Sequence, residues 1–155
     1  MKTSATLKTV TTVEVPPSEA KQWFMALEEH PERYQFDTHA GFRFESGNFG
    51  EPGALFRTRE RFHGIRLTLH FKLTTIGEWH FRFRLLRPPL PVWGTFVIAP
   101  LDEHTSLTLE IGGASPLGRV ILRLPLVRGA IERQIRGEVE HIKASMERVY
   151  SPDNS

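Results

Sequence analysis

At 155 residues, with 39% hydrophobic and 25% charged side chains, the chain has the size and make-up of one globular domain with a real core rather than of a disordered segment. It contains no cysteine, which excludes disulfides, thiolate metal sites and a cysteine nucleophile. A formal charge of +2 and a pI near 9.2 make it only mildly basic.

The opening stretch, Met1 to Lys8, lacks the apolar core of a signal peptide. The longest run without charge, Pro88 to Leu101, holds four prolines and is too short to cross a bilayer as a helix. A cytoplasmic, soluble protein is therefore expected. Residues 5–15 are β-branched and roughly alternating, which predicts a strand. Pro16-Pro17-Ser18-Glu19 then opens a helix, with Ser18 as its expected cap. Ala20, Trp23, Phe24 and Leu27 fall at i, i+3, i+4 and i+7 and form one apolar stripe. Pro31 ends that helix or begins a short second one through Tyr34 and Phe36.

Short strands follow, and the parity of their apolar residues sets an expected register. A two-residue turn at His63-Gly64 pairs Phe62 with Ile65, Thr58 with Leu69 and Phe56 with Phe71. A three-residue turn at Ile76-Gly77-Glu78 is expected to pair Phe71 with Phe83 and Leu73 with Phe81. The hairpin from Val92 to Ile111, turning at Leu101-Asp102-Glu103-His104, sets Ile98 opposite Leu107 and Phe96 opposite Leu109. Gly47, Gly50 and Gly53 lack the lysine and following helix of a phosphate loop and predict a plain hairpin loop. Gly112-Gly113-Ala114-Ser115-Pro116 breaks the sheet. From Leu117 to about Tyr150 the pattern is helical, with an inner stripe of Ile131, Ile135, Val139, Ile142, Met146 and Val149. Pro125 should interrupt that helix near Leu124. Residues 1–150 are expected to form a single domain and 151–155 a loose tail.

This order of elements, together with Val15-Pro16-Pro17-Ser18-Glu19-Ala20-Lys21-Gln22-Trp23-Phe24-Met25-Ala26-Leu27 and the terminal stripe, resembles the START-like, or SRPBCC, superfamily. That superfamily includes polyketide cyclase-like and birch-allergen-like proteins. The resemblance implies an α+β helix-grip fold: a curved seven-stranded antiparallel sheet, two short helices at its mouth, and the last helix across its concave face. It also implies a binding function, since members hold lipids, sterols, quinones or polyketides and some are cyclases or hydrolases. Fold alone does not choose among these.

The inward sheet face would carry Phe42, Phe44, Phe56, Phe62, Phe71, Phe81, Phe83 and Phe96, eight of eleven phenylalanines, with Trp79 at a rim. Such a lining suits either a solid core or an apolar cavity; the resemblance favours the cavity. The candidate ligand-binding residues are Phe44, Phe56, Thr58, Glu60, Phe71, Phe83, Phe96 and Ile135. Glu60 breaks the apolar pattern, and a carboxylate placed there must be paired, hydrogen-bonded or raised in pKa. It is either a polar anchor or a general acid/base, the one candidate catalytic residue; alternatively it reaches solvent at the strand end. A second inward polar group near Glu60 would separate an enzyme from a carrier, and none is evident in the sequence. The seven histidines show no metal-ligand spacing, so neither metal nor cofactor is expected.

The outward face is expected to set Arg61 beside Arg66, Lys72 beside Arg82, and Arg57, His70 and Arg84 in a row. A solvated face accounts for this, and a docking surface for an anionic membrane is the alternative. Nucleic acid is disfavoured, because few exposed aromatics accompany the arginines. Leu117 to Leu124, apolar with spaced arginines, either lies on a membrane surface or forms the first turns of the gripping helix at the cavity mouth, the second being preferred. The leading expectation is a carrier of an apolar or amphipathic small molecule (lipid, quinone or aromatic polyketide). A cyclase or hydrolase using Glu60 and an interaction protein docking through its basic face are the alternatives.

Overall fold

A computed structural model describes residues 6–36, 39–62 and 64–150, without the side chains of His39, Ala40 and Phe62. Strand β1 (Thr6–Val13) leads into helix α1 (Pro17–Met25), followed by two short 3-10 turns, Ala26–Glu28 and Pro31–Tyr34. Six strands come next: β2 (His39–Ser46), β3 (Leu55–Phe62), β4 (Ile65–Ile76), β5 (His80–Arg87), β6 (Val92–Leu101) and β7 (His104–Gly113). Helices α2 (Pro116–Arg123) and α3 (Pro125–Tyr150) complete the chain. The strands form one antiparallel sheet in the order β1-β7-β6-β5-β4-β3-β2, and α3 lies against it. This is the helix-grip architecture. Residues 151–155, expected to be a loose tail, lie outside the described residues, as do Ala5 of the first predicted strand and His63 of the predicted turn.

Helix α1 begins at Pro17, whose fixed φ suits a first helical position, so the chain turns helical two residues sooner than a cap at Ser18 would have it. Ser18 therefore sits inside the first turn and caps nothing. The predicted stripe is fully buried: Ala20, Trp23, Phe24 and Leu27 have no exposure. The Trp23 indole also donates from Nε1 to Ser145 Oγ at 2.9 Å, fastening α1 to α3. On α3, Ile135, Val139, Ile142 and Met146 are buried against the sheet, in the expected stripe. The helix breaks where Pro125 demands it. Leu124 is extended, at φ −66 and ψ 125, as a residue before proline prefers, and Pro125 then starts α3. The gripping segment is thus two helices, and α2 caps itself through Ser115, whose Oγ accepts from Gly118 N.

The predicted pairings Phe56–Phe71, Thr58–Leu69, Phe62–Ile65, Phe96–Leu109 and Ile98–Leu107 are all present. The β4–β5 pairing differs. Phe71 lies opposite Leu85, Leu73 opposite Phe83, and Ile76 opposite Phe81, because four residues rather than three separate the innermost pair, Ile76 and Phe81, and β4 then carries an extra residue between Leu73 and Thr75. The outward row changes accordingly. Arg43, Arg57, His70 and Arg87 lie across four strands, and Lys72 faces Arg84 rather than Arg82. Arg61 does face Arg66. Part of this charge is met locally: Glu45 Oε1 lies 3.0 Å from His70 Nδ1, and Arg82 stacks over the Trp93 ring at 4.0 Å.

Candidate functional site

Four phenylalanines on four neighbouring strands run in series along the concave face. Ring centroids are 5.1 Å apart between Phe56 and Phe71, 5.3 Å between Phe71 and Phe83, and 5.6 Å between Phe83 and Phe96. Between these rings and α3 lies a cavity of about 370 Å³. Leu67, Leu69, Leu85 and Ile111 extend its sheet wall, while Val127, Ala130, Ile131 and Ile135 form its helix wall. Gly94 makes the aromatic wall feasible: a Cβ there would sit 2.3 Å from Phe83 Cζ, so only a residue without one lets that ring lie flat on β6.

Seven of the eight residues proposed from sequence face this cavity: Phe56, Thr58, Glu60, Phe71, Phe83, Phe96 and Ile135. Phe44 does not. It packs behind the wall, 5.4 Å from Phe42 and 5.2 Å from Phe49, and Phe81 is likewise buried in the core rather than on the cavity. Trp79 is partly buried against the core, with Lys21 Nζ 5.7 Å from its ring. Phe49, in the connection between β2 and β3, lines the cavity and has no exposure. The glycine spacing around it predicts a loop but not an inward ring. Gly47 takes φ +74, and Asn48 Oδ1 accepts from Gly50 N at 2.8 Å, a local turn that directs the intervening side chain inward.

The polar end of the cavity is built around Glu60. Its Oε2 accepts from Thr58 Oγ1 at 2.8 Å, and its Oε1 accepts from Gln134 Nε2 at 3.0 Å. Glu138, one turn after Gln134 on α3, hydrogen-bonds Glu60 and accepts from the Tyr34 hydroxyl at 3.3 Å. Glu60 and Glu138 are only 6% and 9% exposed. Here is the second inward polar group that the sequence did not reveal. Its signal is faint but present: Ile131, Gln134, Ile135, Glu138 and Ile142 fall at i, i+3, i+4, i+7 and i+11, so both polar residues flank the apolar stripe.

Burial raises the pKa of both carboxyls above the ordinary value of 4.5. Donation from Thr58 and Gln134 holds Glu60 partly back, whereas the charge of Glu60 pushes Glu138 further up. Two buried carboxyls in contact titrate as one pair, and burial together with their mutual repulsion holds a shared proton there above the ordinary carboxyl range. Burial and the same two carboxylates also raise Tyr34. Raised carboxyl values mean that the folded chain binds more protons than the unfolded chain above pH 4.5. The pair's contribution to stability should therefore be fully present below that value and be lost as pH rises through the raised values. Glu138→Gln should flatten this slope and be more stable than the wild type at pH 8. Urea unfolding of both proteins at pH 5 and pH 8 measures it; a wild-type chain more stable at pH 8 contradicts the buried pair.

Among the described residues no group of three or more His, Asp or Glu could hold a metal ion. Among the described residues no helix is long and apolar enough to cross a membrane. No family model matches the chain, and no curated protein matches it. Solved structures do. The Zhui aromatase/cyclase from Streptomyces sp. R1128 superposes with a TM-score of 0.75 at 14% identity, over 97% of this chain and 98% of that one. Ara h 8.0201 gives 0.65 at 16% identity, over 91% of this chain and 96% of that one. Major latex-like protein 151 from Panax ginseng gives 0.65 at 11% identity, over 96% and 100%. Identities this low speak for fold alone, and with the sheet order, the gripping helix and the space enclosed between them, the chain has the helix-grip fold of these structures.

Proposed function

We propose that the chain binds an apolar or amphipathic small molecule in the cavity between sheet and α3, with one polar group of that molecule against Glu60 and Glu138. The observation that carries this reading is the aromatic cavity with a single polar end. Small-molecule sites have this make-up: mostly apolar walls and a few convergent polar groups. The volume of about 370 Å³ is near the lower end of the usual range, roughly 300–1,000 Å³, which favours a compact aromatic or single-chain ligand over a two-chain lipid. The similarity to an aromatase/cyclase keeps aromatic polyketides among the ligands to test, beside quinones and single-chain lipids. The setting proposed from the sequence is the cytoplasm. Native mass spectrometry of the purified protein, repeated after organic extraction, tests the reading. A stoichiometric apolar adduct supports it and identifies the chemical class. An adduct-free protein with no thermal shift from aromatics, quinones or fatty acids overturns it.

A second reading, an enzyme of the cyclase or hydrolase kind, is favoured by one observation. Two buried carboxyls of raised pKa lie in contact at the cavity end, and a pair that shares one proton is what abstraction from, and return to, a carbonyl compound requires. Glu60 would take the proton, and Glu138 would supply one to the developing oxyanion. Under this reading Glu60→Gln abolishes turnover while leaving ligand affinity within a few-fold. Full activity of that variant sinks it.

A further inference from the structure

Helix α2 carries apolar residues on its outside as well as its inside. Gly118 and Leu122 are buried, yet Leu117, Val120 and Leu124, at i, i+3 and i+7, are all exposed, Leu117 to 63%. Leu126, two residues on, is 89% exposed. No α2 residue lines the cavity, so the preference for α2 as a closing turn of the gripping helix does not hold. The helix instead sits beside the mouth. Gly118 packs so closely on the 88–91 loop that a Cβ would lie 2.2 Å from the Pro91 carbonyl, which also accepts from Ala114 N at 2.7 Å. Leu90 of that loop is both exposed and on the cavity wall, and Val127 lines the cavity directly after Leu126. The exposed aliphatic residues therefore border the opening.

Their charged neighbours are mostly of one sign. Residues 111–131 contain Arg119, Arg123 and Arg128 and no Asp or Glu, although Arg128 pairs with Glu132 at 3.4 Å; residues 79–101 contain Arg82, Arg84 and Arg87 and again no acid. Arg119 and Arg123 are exposed one turn apart beside the apolar face. A helix with aliphatic side chains outward and arginines at its flank matches the interfacial layer of an anionic bilayer: the aliphatics enter the acyl boundary and the guanidinium groups reach the headgroups.

We propose that α2 and the 88–91 loop dock on an anionic membrane surface, setting the cavity mouth against the bilayer so that an apolar ligand passes between membrane and protein without crossing water. The passage of ligand rests on the cavity reading; the docking does not, and it is measured without any ligand. A second copy of the chain is the competing occupant. A membrane fits better because the aliphatics project from a convex helix and the arginines beside them would face one another across a two-fold interface.

Co-sedimentation with vesicles of phosphatidylcholine, with and without phosphatidylserine, is the test. Binding is expected with phosphatidylserine and should weaken with added salt. Arg119→Gln and Arg123→Gln should each lower it about fivefold. Leu126→Asp and Val120→Asp, at exposed positions, should lower it about tenfold or more with unchanged unfolding temperature. Equal sedimentation with both vesicle types, or no effect of Leu126→Asp, overturns the proposal. So does a dimer in sedimentation velocity that Val120→Asp dissociates, since the second copy would then cover this face. Vesicle binding by a protein that extracts without an adduct and gains no thermal stability from aromatics, quinones or fatty acids leaves the docking standing and removes the cavity reading.

Discussion

Trp23→Ala should cost about 3–5 kcal/mol of stability, the range for deleting a buried tryptophan, against a total of roughly 5–15 kcal/mol for a domain of this kind. The indole has no exposure, meets Phe24 edge-on at 5.1 Å, and lies 5.8 Å from Tyr34. Three elements converge on it: α1 carries it, the 31–34 turn supplies Tyr34, and α3 supplies the Ser145 hydroxyl that accepts its N–H. Removing the ring deletes its packing and leaves that hydroxyl without its donor. In a chain of this length each kcal/mol corresponds to about 2–4 °C, so an unfolding temperature lower by roughly 6–20 °C is expected. Ser145→Ala isolates the polar part. It leaves a buried N–H unpaired and should cost about 1–3 kcal/mol while the aromatic packing survives. Thermal and urea unfolding measure both. Trp23→Ala at no more cost than Ser145→Ala would mean that the ring is not seated as described.

The stripe holding Trp23 was legible because helical spacing turns four apolar residues into a single face that can go nowhere but inward. The strands were legible for the same reason at period two. Where β3 meets β4, and β6 meets β7, parity and turn length agree and the pairing follows. Between β4 and β5 they do not suffice, because the turn is one residue longer and set further along the chain than its glycine suggests, and an extra residue near Thr74 shifts the register again. The pairing moves by two residues, so every ring keeps its face, and Phe71 and Phe83 still meet at 5.3 Å although they are not opposite. Phe44 shows the limit of this logic: parity puts it inward, but depth along the strand decides whether it reaches open space or other rings. Glu138 shows the opposite failure. An acid at the edge of an amphipathic stripe ordinarily meets water, and here the curvature of the sheet folds that edge over the cavity. Only the position of Glu60 on a facing strand makes the pair, and the separation of 78 residues hides it from any local pattern.

Ala130→Trp should abolish ligand binding while leaving the fold in place. Ala130 is part of the α3 wall of the cavity, where its methyl group faces space rather than packed atoms. Enlarging a residue in a close-packed core forces neighbours aside at a cost of about 1–3 kcal/mol, but here the indole enters existing free volume, so the unfolding temperature should change by only a few degrees. An indole occupying much of about 370 Å³ leaves little room for a guest. Affinity for the apolar fluorophore N-phenyl-1-naphthylamine should drop about 100-fold, equivalent to about 2.7 kcal/mol. Phe44→Leu is the matched control: it alters the packing behind the wall without touching the cavity, so it should lower stability by about 1 kcal/mol and leave affinity within a few-fold. Unchanged affinity in Ala130→Trp would place the fluorophore on the exposed aliphatic face of α2 instead, and Leu126→Asp would then be the variant that releases it. The pair of variants therefore assigns apolar binding to the interior or to the surface, because each site loses its guest through a substitution the other does not feel.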